Sequence, residues 1–170
     1  VYISSNGWLT FSSTMASDPQ YITGLIPSSS DPDALIAFAW DDLDPGAGGS
    51  IEYFTTGTAP NRKFVLNFTN VPHYGCSSCL VSTQLVLEET THAIEIHNTR
   101  VDNHTTSGTM TQGIENGTGT VGLTVSGRNA STWSATNDAY RFTLAATPGT
   151  YTVSWQSPLG TPVGTGDNLN

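Results

Sequence analysis

The first eleven residues, VYISSNGWLTF, carry two short apolar–polar alternations hinged on Asn6-Gly7. Alternation with a period of two sends successive side chains to opposite faces of an extended chain, and Asn-Gly supplies the positive φ that a tight primed turn needs. The segment therefore predicts a β-hairpin, and the same pattern recurs down the chain. Leu35-Ile36-Ala37-Phe38-Ala39-Trp40 is an unbroken apolar run of strand length, as expected for a strand covered on both faces. Residues 50–55, 63–68, 81–88, 92–97, 120–125 and 140–144 read as further strands, and the short link Glu89-Thr90-Thr91 predicts a hairpin between its two flanking strands. Residues 12–30 read as loop, and residues 102–119 as polar and turn-rich. No window of helix length shows a capped 3.6-residue period. About ten short strands at regular spacing predict an all-β, antiparallel β-sandwich, jelly-roll-like, with little or no helix.

A chain of 170 residues fits one ordinary domain or a domain with a fragment of another. The expected division is a β-sandwich module over 1–146, then 147–170 as a linker and the first strand or strands of an Ig-like module, or an added edge strand. The boundary rests on the small-residue stretch AATPGT and the fresh alternation that begins at Tyr151. Val1 opens directly inside a predicted strand with no leader before it, so the sequence is expected to be an internal piece of a longer chain. Fourteen acidic against five basic residues give a formal charge of −9. That balance argues against nucleic acid, whose recognition needs a basic stripe, and against docking on anionic lipid. It is compatible with divalent cations, neutral glycans or plain solubility. No apolar run reaches the roughly 18 residues of a membrane-spanning helix, so no membrane insertion is expected.

The densest chemistry is Asp41-Asp42-Leu43-Asp44-Pro45 at the end of the buried strand. Three carboxylates within four residues suit a hard cation, which makes Asp41, Asp42 and Asp44 a candidate Ca²⁺ site. The alternatives are a plain acidic turn, or a carboxylate pair acting as general acid and base. Among four tryptophans, Trp40 falls in the buried run. Trp133, in a loop with Arg128 and Asn129, is the candidate platform for stacking a sugar ring; its alternative role is to cap the end of the sandwich. Cys76-Ser77-Ser78-Cys79 is open to redox, metal and disulfide readings. A strand follows rather than a helix, which weakens the redox setting. A zinc site would need two more ligands, with only His73 near, so a local disulfide is the favoured reading. His73 and His104 fall in predicted loops and read as solvent-exposed. His92 and His97 lie five apart on one strand and cannot chelate together. No G-x-S-x-G elbow is present to supply a hydrolase nucleophile, and the chain is not expected to be an enzyme.

The stretches SNGWLTF, LIAFAWDDLDP, GGSIEYFTTGTAPNRKFVLNF, STQLVLEETTHAIEIH, TQGIENGTGTVG and GRNASTW…NDAYRFT occur in this order. Together they resemble a β-sandwich module of large secreted and cell-surface, gliding-motility or adhesin-type proteins of Bacteroidetes, with a more distant similarity to nidogen-type extracellular domains. The tail TYTVSWQSPLGTPVGTGDNLN resembles the opening of an Ig-like repeat. The resemblance implies an extracellular or cell-surface, non-catalytic adhesion or ligand-presenting module. The alternatives are a carbohydrate-binding module attached to a secreted enzyme and a purely structural spacer. Implied partners are a glycan or surface protein, together with neighbouring modules of the same long chain. Members usually carry a further β-segment ahead of the VYISSNG block; without it an open sheet edge is expected, covered by an upstream module or a neighbouring subunit. Members also often place a cysteine shortly before TQGI to pair with the one near Cys79. This chain has none there, which leaves Cys76 as the partner of Cys79.

Overall fold

A computed structural model describes residues 1–13, 20–30, 32–104, 108–145, 151–156 and 162–165. Twelve strands lie among them: β1 (Tyr2–Ser4), β2 (Trp8–Thr10), β3 (Leu35–Trp40), β4 (Ser50–Thr56), β5 (Lys63–His73), β6 (Cys76–Glu88), β7 (Ile94–Val101), β8 (Thr111–Glu115), β9 (Gly122–Thr124), β10 (Ala135–Leu144), β11 (Tyr151–Gln156) and β12 (Pro162–Thr165). They form a five-stranded sheet ordered β1-β2-β3-β8-β9 and a seven-stranded sheet ordered β12-β11-β10-β7-β6-β5-β4. All pairings are antiparallel. The predicted all-β sandwich is borne out, and the described residues contain no α-helix. The chain passes between sheets after β3, after β7 and after β9.

The main core lies between the sheets. Phe38 of β3 meets Phe68 of β5 edge-to-face at 5.0 Å, with Leu66, Leu85, Ile96 and Phe142 around them. Each such side chain stabilises the fold by about 1.5–3 kcal/mol on full burial. A second cluster, Trp8, Ile26, Leu35, Ala37 and Trp40, covers the other face of the five-stranded sheet. The segment around residues 20–26 closes over it. The indole N–H groups of Trp8 and Trp40 both donate to the Gln20 carbonyl, at 3.1 and 2.9 Å. β3 is therefore buried throughout, as its unbroken apolar run predicts.

Two one-residue bulges decide which side chains reach the interior. On β3, Ala37 faces Gly113 and Trp40 faces Thr111, so three steps on one strand match two on the other. The N–H groups of Phe38 and Ala39 both donate to the Gly7 carbonyl, at 3.0 and 3.1 Å, which is the signature of a classic bulge. Ile36 and Phe38 point inward before it; after it Trp40 points outward and the inner face passes to odd-numbered positions. On β5, Phe68 pairs with Thr83 and Val71 with Val81, again three steps against two. Leu66 and Phe68 line the core before that bulge, and Val71 after it.

The structure corrects several boundaries. The first hairpin forms, but Ser4 pairs with Trp8, leaving a three-residue turn in which Gly7 alone takes a positive φ, 75°. Asn6 is instead buried, and its side-chain carbonyl accepts the Leu43 N–H at 3.1 Å. The expectation that 102–119 is only turn-rich fails at β8, which is buried along its whole length. Its polar groups are satisfied internally: the Thr111 hydroxyl donates to Gly24, the Gln112 amide to the Phe38 carbonyl, and Glu115 accepts the Ser28 N–H. β7 begins at Ile94, leaving His92 in the preceding turn. β11 pairs with β10 from Leu144↔Tyr151 to Ala139↔Gln156, extending the seven-stranded sheet. Of the predicted linker stretch AATPGT, residues 146–150 lie outside the described residues.

Candidate metal centre at the turn between the sheets

After β3 the chain leaves the five-stranded sheet and pairs with the end of β5. Asp44 N–H donates to the Pro72 carbonyl and Tyr74 N–H to the Asp42 carbonyl, both at 2.8 Å, with an isolated bridge between Leu43 and His73. The phase change on β3 turns Asp41 inward, and the phase change on β5 does the same for His73. Both are buried, with 3% and 1% of their surface exposed.

Asp41 Oδ2 lies 2.8 Å from His73 Nδ1 and 3.5 Å from His104 Nδ1. The two imidazoles stack with centroids 5.1 Å apart and planes 20° from parallel. His73 Nε2 lies 3.0 Å from the Asp102 carbonyl. One ligand-type atom from each of Asp41, His73 and His104 falls within 4.8 Å of the others, and all three residues are buried. Asp102 follows β7; its backbone and carboxylate pair with Leu80, which holds the His104 segment against β6. Cys76 and Cys79 are joined in a local disulfide at the start of β6, where Cys76 pairs with His73 of β5.

The expected calcium trio does not converge in this way. Of its three residues only Asp41 belongs to the cluster. Asp44 is half-buried and accepts the Gly46 N–H at 3.0 Å, an ordinary turn contact. Asp42 is also half-buried, and burial followed by the charge of Asp41 pushes its carboxyl above the usual range. His73 and His104, expected in solvent, are core residues. The sequence signal for His73 is the inward alternation Val71, His73, visible only once the bulge on β5 is known.

Trp133 is not an exposed platform. It is buried, its indole N–H donates to the Met110 carbonyl at 3.0 Å, and the Arg128 guanidinium covers its ring at 4.3 Å. Tyr140 lies on the same guanidinium at 4.9 Å. Arg128 donates to Gln112 at 2.7 Å and pairs with Asp138, while Asn98 bonds Thr83, Gln112 and Asp138. Asn129 uses both ends of its amide on the Ile26 backbone, at 2.9 and 2.7 Å. Arg128, Asn129 and Trp133 thus tie the two sheets and the 20–26 segment together by internal contacts.

Two packed antiparallel sheets, a local disulfide and no α-helix among the described residues define a small β-sandwich module of the extracellular kind. The NIDO-related family, that is, the nidogen-related domains, matches residues 1–155, and the chain belongs to it. No curated protein and no solved structure matches the chain. Nidogen-related domains are generally extracellular and occur as modules of larger proteins, which supports the same setting for this chain.

Proposed function

We propose that this chain is a non-catalytic adhesion or ligand-presenting module of a large secreted or surface protein. Membership of the nidogen-related family over residues 1–155 carries the reading. The likeness of its sequence blocks to modules of Bacteroidetes surface proteins is the narrower form of the same proposal. The fold supplies what presentation needs: a rigid two-sheet scaffold with a projecting hairpin. On that hairpin β4 is an edge strand with almost every residue exposed, Tyr53 and Phe54 among them. β1 is an edge of the other sheet, where an upstream module or neighbouring subunit would add a strand. Burial of Trp8, Trp40 and Trp133 weighs against a tryptophan sugar platform, so a glycan partner would have to be met elsewhere.

The test is binding of the immobilised 170-residue chain to a glycan array and to a panel of extracellular-matrix proteins, alongside chromogenic ester and glycoside substrates. Saturable binding that falls in a Tyr53→Ser/Phe54→Ser variant supports presentation by the β4 hairpin. Substrate turnover overturns the non-catalytic reading, and absence of any binding reduces the module to a spacer.

A further inference from the structure

We propose that Asp41, His73 and His104 form a zinc-binding centre that staples the two sheets together. The inference concerns the interior of this module and is independent of what the module presents.

The first argument is the tautomer of His73. A backbone carbonyl can only accept, so the 3.0 Å contact to Asp102 fixes the proton on Nε2. In the neutral ring Nδ1 is then a bare lone pair, and it faces a carboxylate oxygen of Asp41 at 2.8 Å. Two lone-pair atoms hold that distance only with a cation between them, either a proton or a metal ion. A ring N–H donated to a backbone carbonyl, with the other nitrogen aimed inward, is the orienting arrangement of metal-ligating histidines.

The second argument is the other imidazole. His104 Nδ1 lies 3.5 Å from the same Asp41 oxygen. A single divalent ion can take one ligand atom from each of the three side chains. Two imidazoles and one carboxylate suit Zn²⁺, while Ca²⁺ prefers an all-oxygen shell. Zinc ligands at roughly 2.0–2.1 Å in a tetrahedral shell stand about 3.3 Å apart. The Asp41 and His73 side chains would part by about half an ångström to admit the ion.

The third argument is placement. Asp41 follows β3 of the five-stranded sheet, His73 ends β5 of the seven-stranded sheet, and His104 follows β7. The ion would join three chain segments that only the folded state brings together, so binding would stabilise the fold directly.

The experiment is equilibrium dialysis of the chelator-treated 170-residue chain against Zn²⁺, with Co²⁺ as a visible-absorbing probe and Ca²⁺ as the comparison ion. The expected result is one Zn²⁺ per chain, Co²⁺ ligand-field bands, and a melting temperature that rises with Zn²⁺ but not with Ca²⁺. His104→Gln should weaken Zn²⁺ binding by at least about 100-fold, since loss of merely an orienting contact already costs 10–100-fold. Near-UV circular dichroism checks that this variant is folded, and His73→Gln gives the second ligand test. His97→Gln removes the half-exposed pair with Glu95 and should leave binding unchanged. Failure to bind Zn²⁺ below about 1 mM, a Kd worth only some 4 kcal/mol, overturns the proposal. So does binding that survives in a folded His104→Gln chain or disappears in His97→Gln.

Discussion

The carbonyl of Gly7 accepts the N–H of Ala39 at 3.1 Å, and the N–H of Phe38 shares the same oxygen at 3.0 Å. This contact makes the bulge on β3, and the bulge sends Trp40 outward and Asp41 inward. Gly7 holds φ at 75°, and a Cβ added there would fall within the contact radius of the Ala39 carbonyl oxygen. Gly7→Ala combines left-handed strain with a backbone clash. It should destabilise the chain by about 2–5 kcal/mol. At roughly 2–4 °C per kcal/mol for this size, the fall in melting temperature is large and easily read by calorimetry. An unchanged melting temperature would mean that the bulge is dispensable.

Arg128 yields a second expectation. Its charge is buried among Asp138, Gln112, Trp133 and Tyr140. Arg128→Met leaves the Asp138 carboxylate without its cation and should cost about 3–5 kcal/mol. Arg128→Lys should recover only part of the loss, because an ammonium cannot fork to two acceptors and stack between two rings at once. Urea unfolding of the three chains gives the comparison. Full recovery by lysine would reduce the network to simple charge pairing.

Most of the sheet architecture is legible from alternation, and the buried β3 from its apolar run. What period-two reading loses is everything downstream of a bulge. The inward positions on β5 pass from Leu66 and Phe68 to Val71 and His73, so a strict alternation ends the strand at Phe68 and leaves His73 in a loop. β8 escapes for a different reason. Thr111, Gln112 and Glu115 look like surface residues, and only the tertiary structure supplies the partners that allow their burial. The acidic turn was visible, but its partner histidines lie 32 and 63 positions further on and are joined to Asp41 only by the fold.

The disulfide closes a very short loop, so its effect on chain entropy is small. For a four-residue loop the chain-entropy relation gives about 2 kcal/mol. Reduction, or a Cys76→Ser/Cys79→Ser double variant, should therefore lower the melting temperature by several degrees and leave the chain folded at room temperature. Alkylation before and after reduction, read by mass spectrometry, reports whether both thiols are engaged. Complete unfolding on reduction would show that the β5–β6 hairpin depends on the crosslink rather than on its ladder.

Glu115 and Glu88 pull the pH dependence of stability in opposite directions. Burial pushes the Glu115 carboxyl up to about 7 from its ordinary 4.5; the Ser28 N–H opposes the shift and the charge of Asp33 adds to it. Between those values the folded chain holds a proton that the unfolded chain has released. Stability therefore falls as pH rises from 4.5 to 7 and levels off above. At Glu88 burial acts in the same sense, but Lys63, Thr91 and Arg141 outweigh it and hold the carboxyl at about 2. There the folded chain stays ionised while the unfolded chain takes up a proton, so stability is lost as pH falls from 4.5 toward 2. Unfolding free energies measured across pH should accordingly peak near the ordinary carboxylate range for these two contributions. Glu115→Gln should flatten the neutral side, because a neutral amide has no proton to release. Glu88→Gln should flatten the acid side while lowering stability above it. A Glu115→Gln profile parallel to that of the parent chain between pH 5 and 7 would show that this carboxyl is ionised in the folded chain throughout.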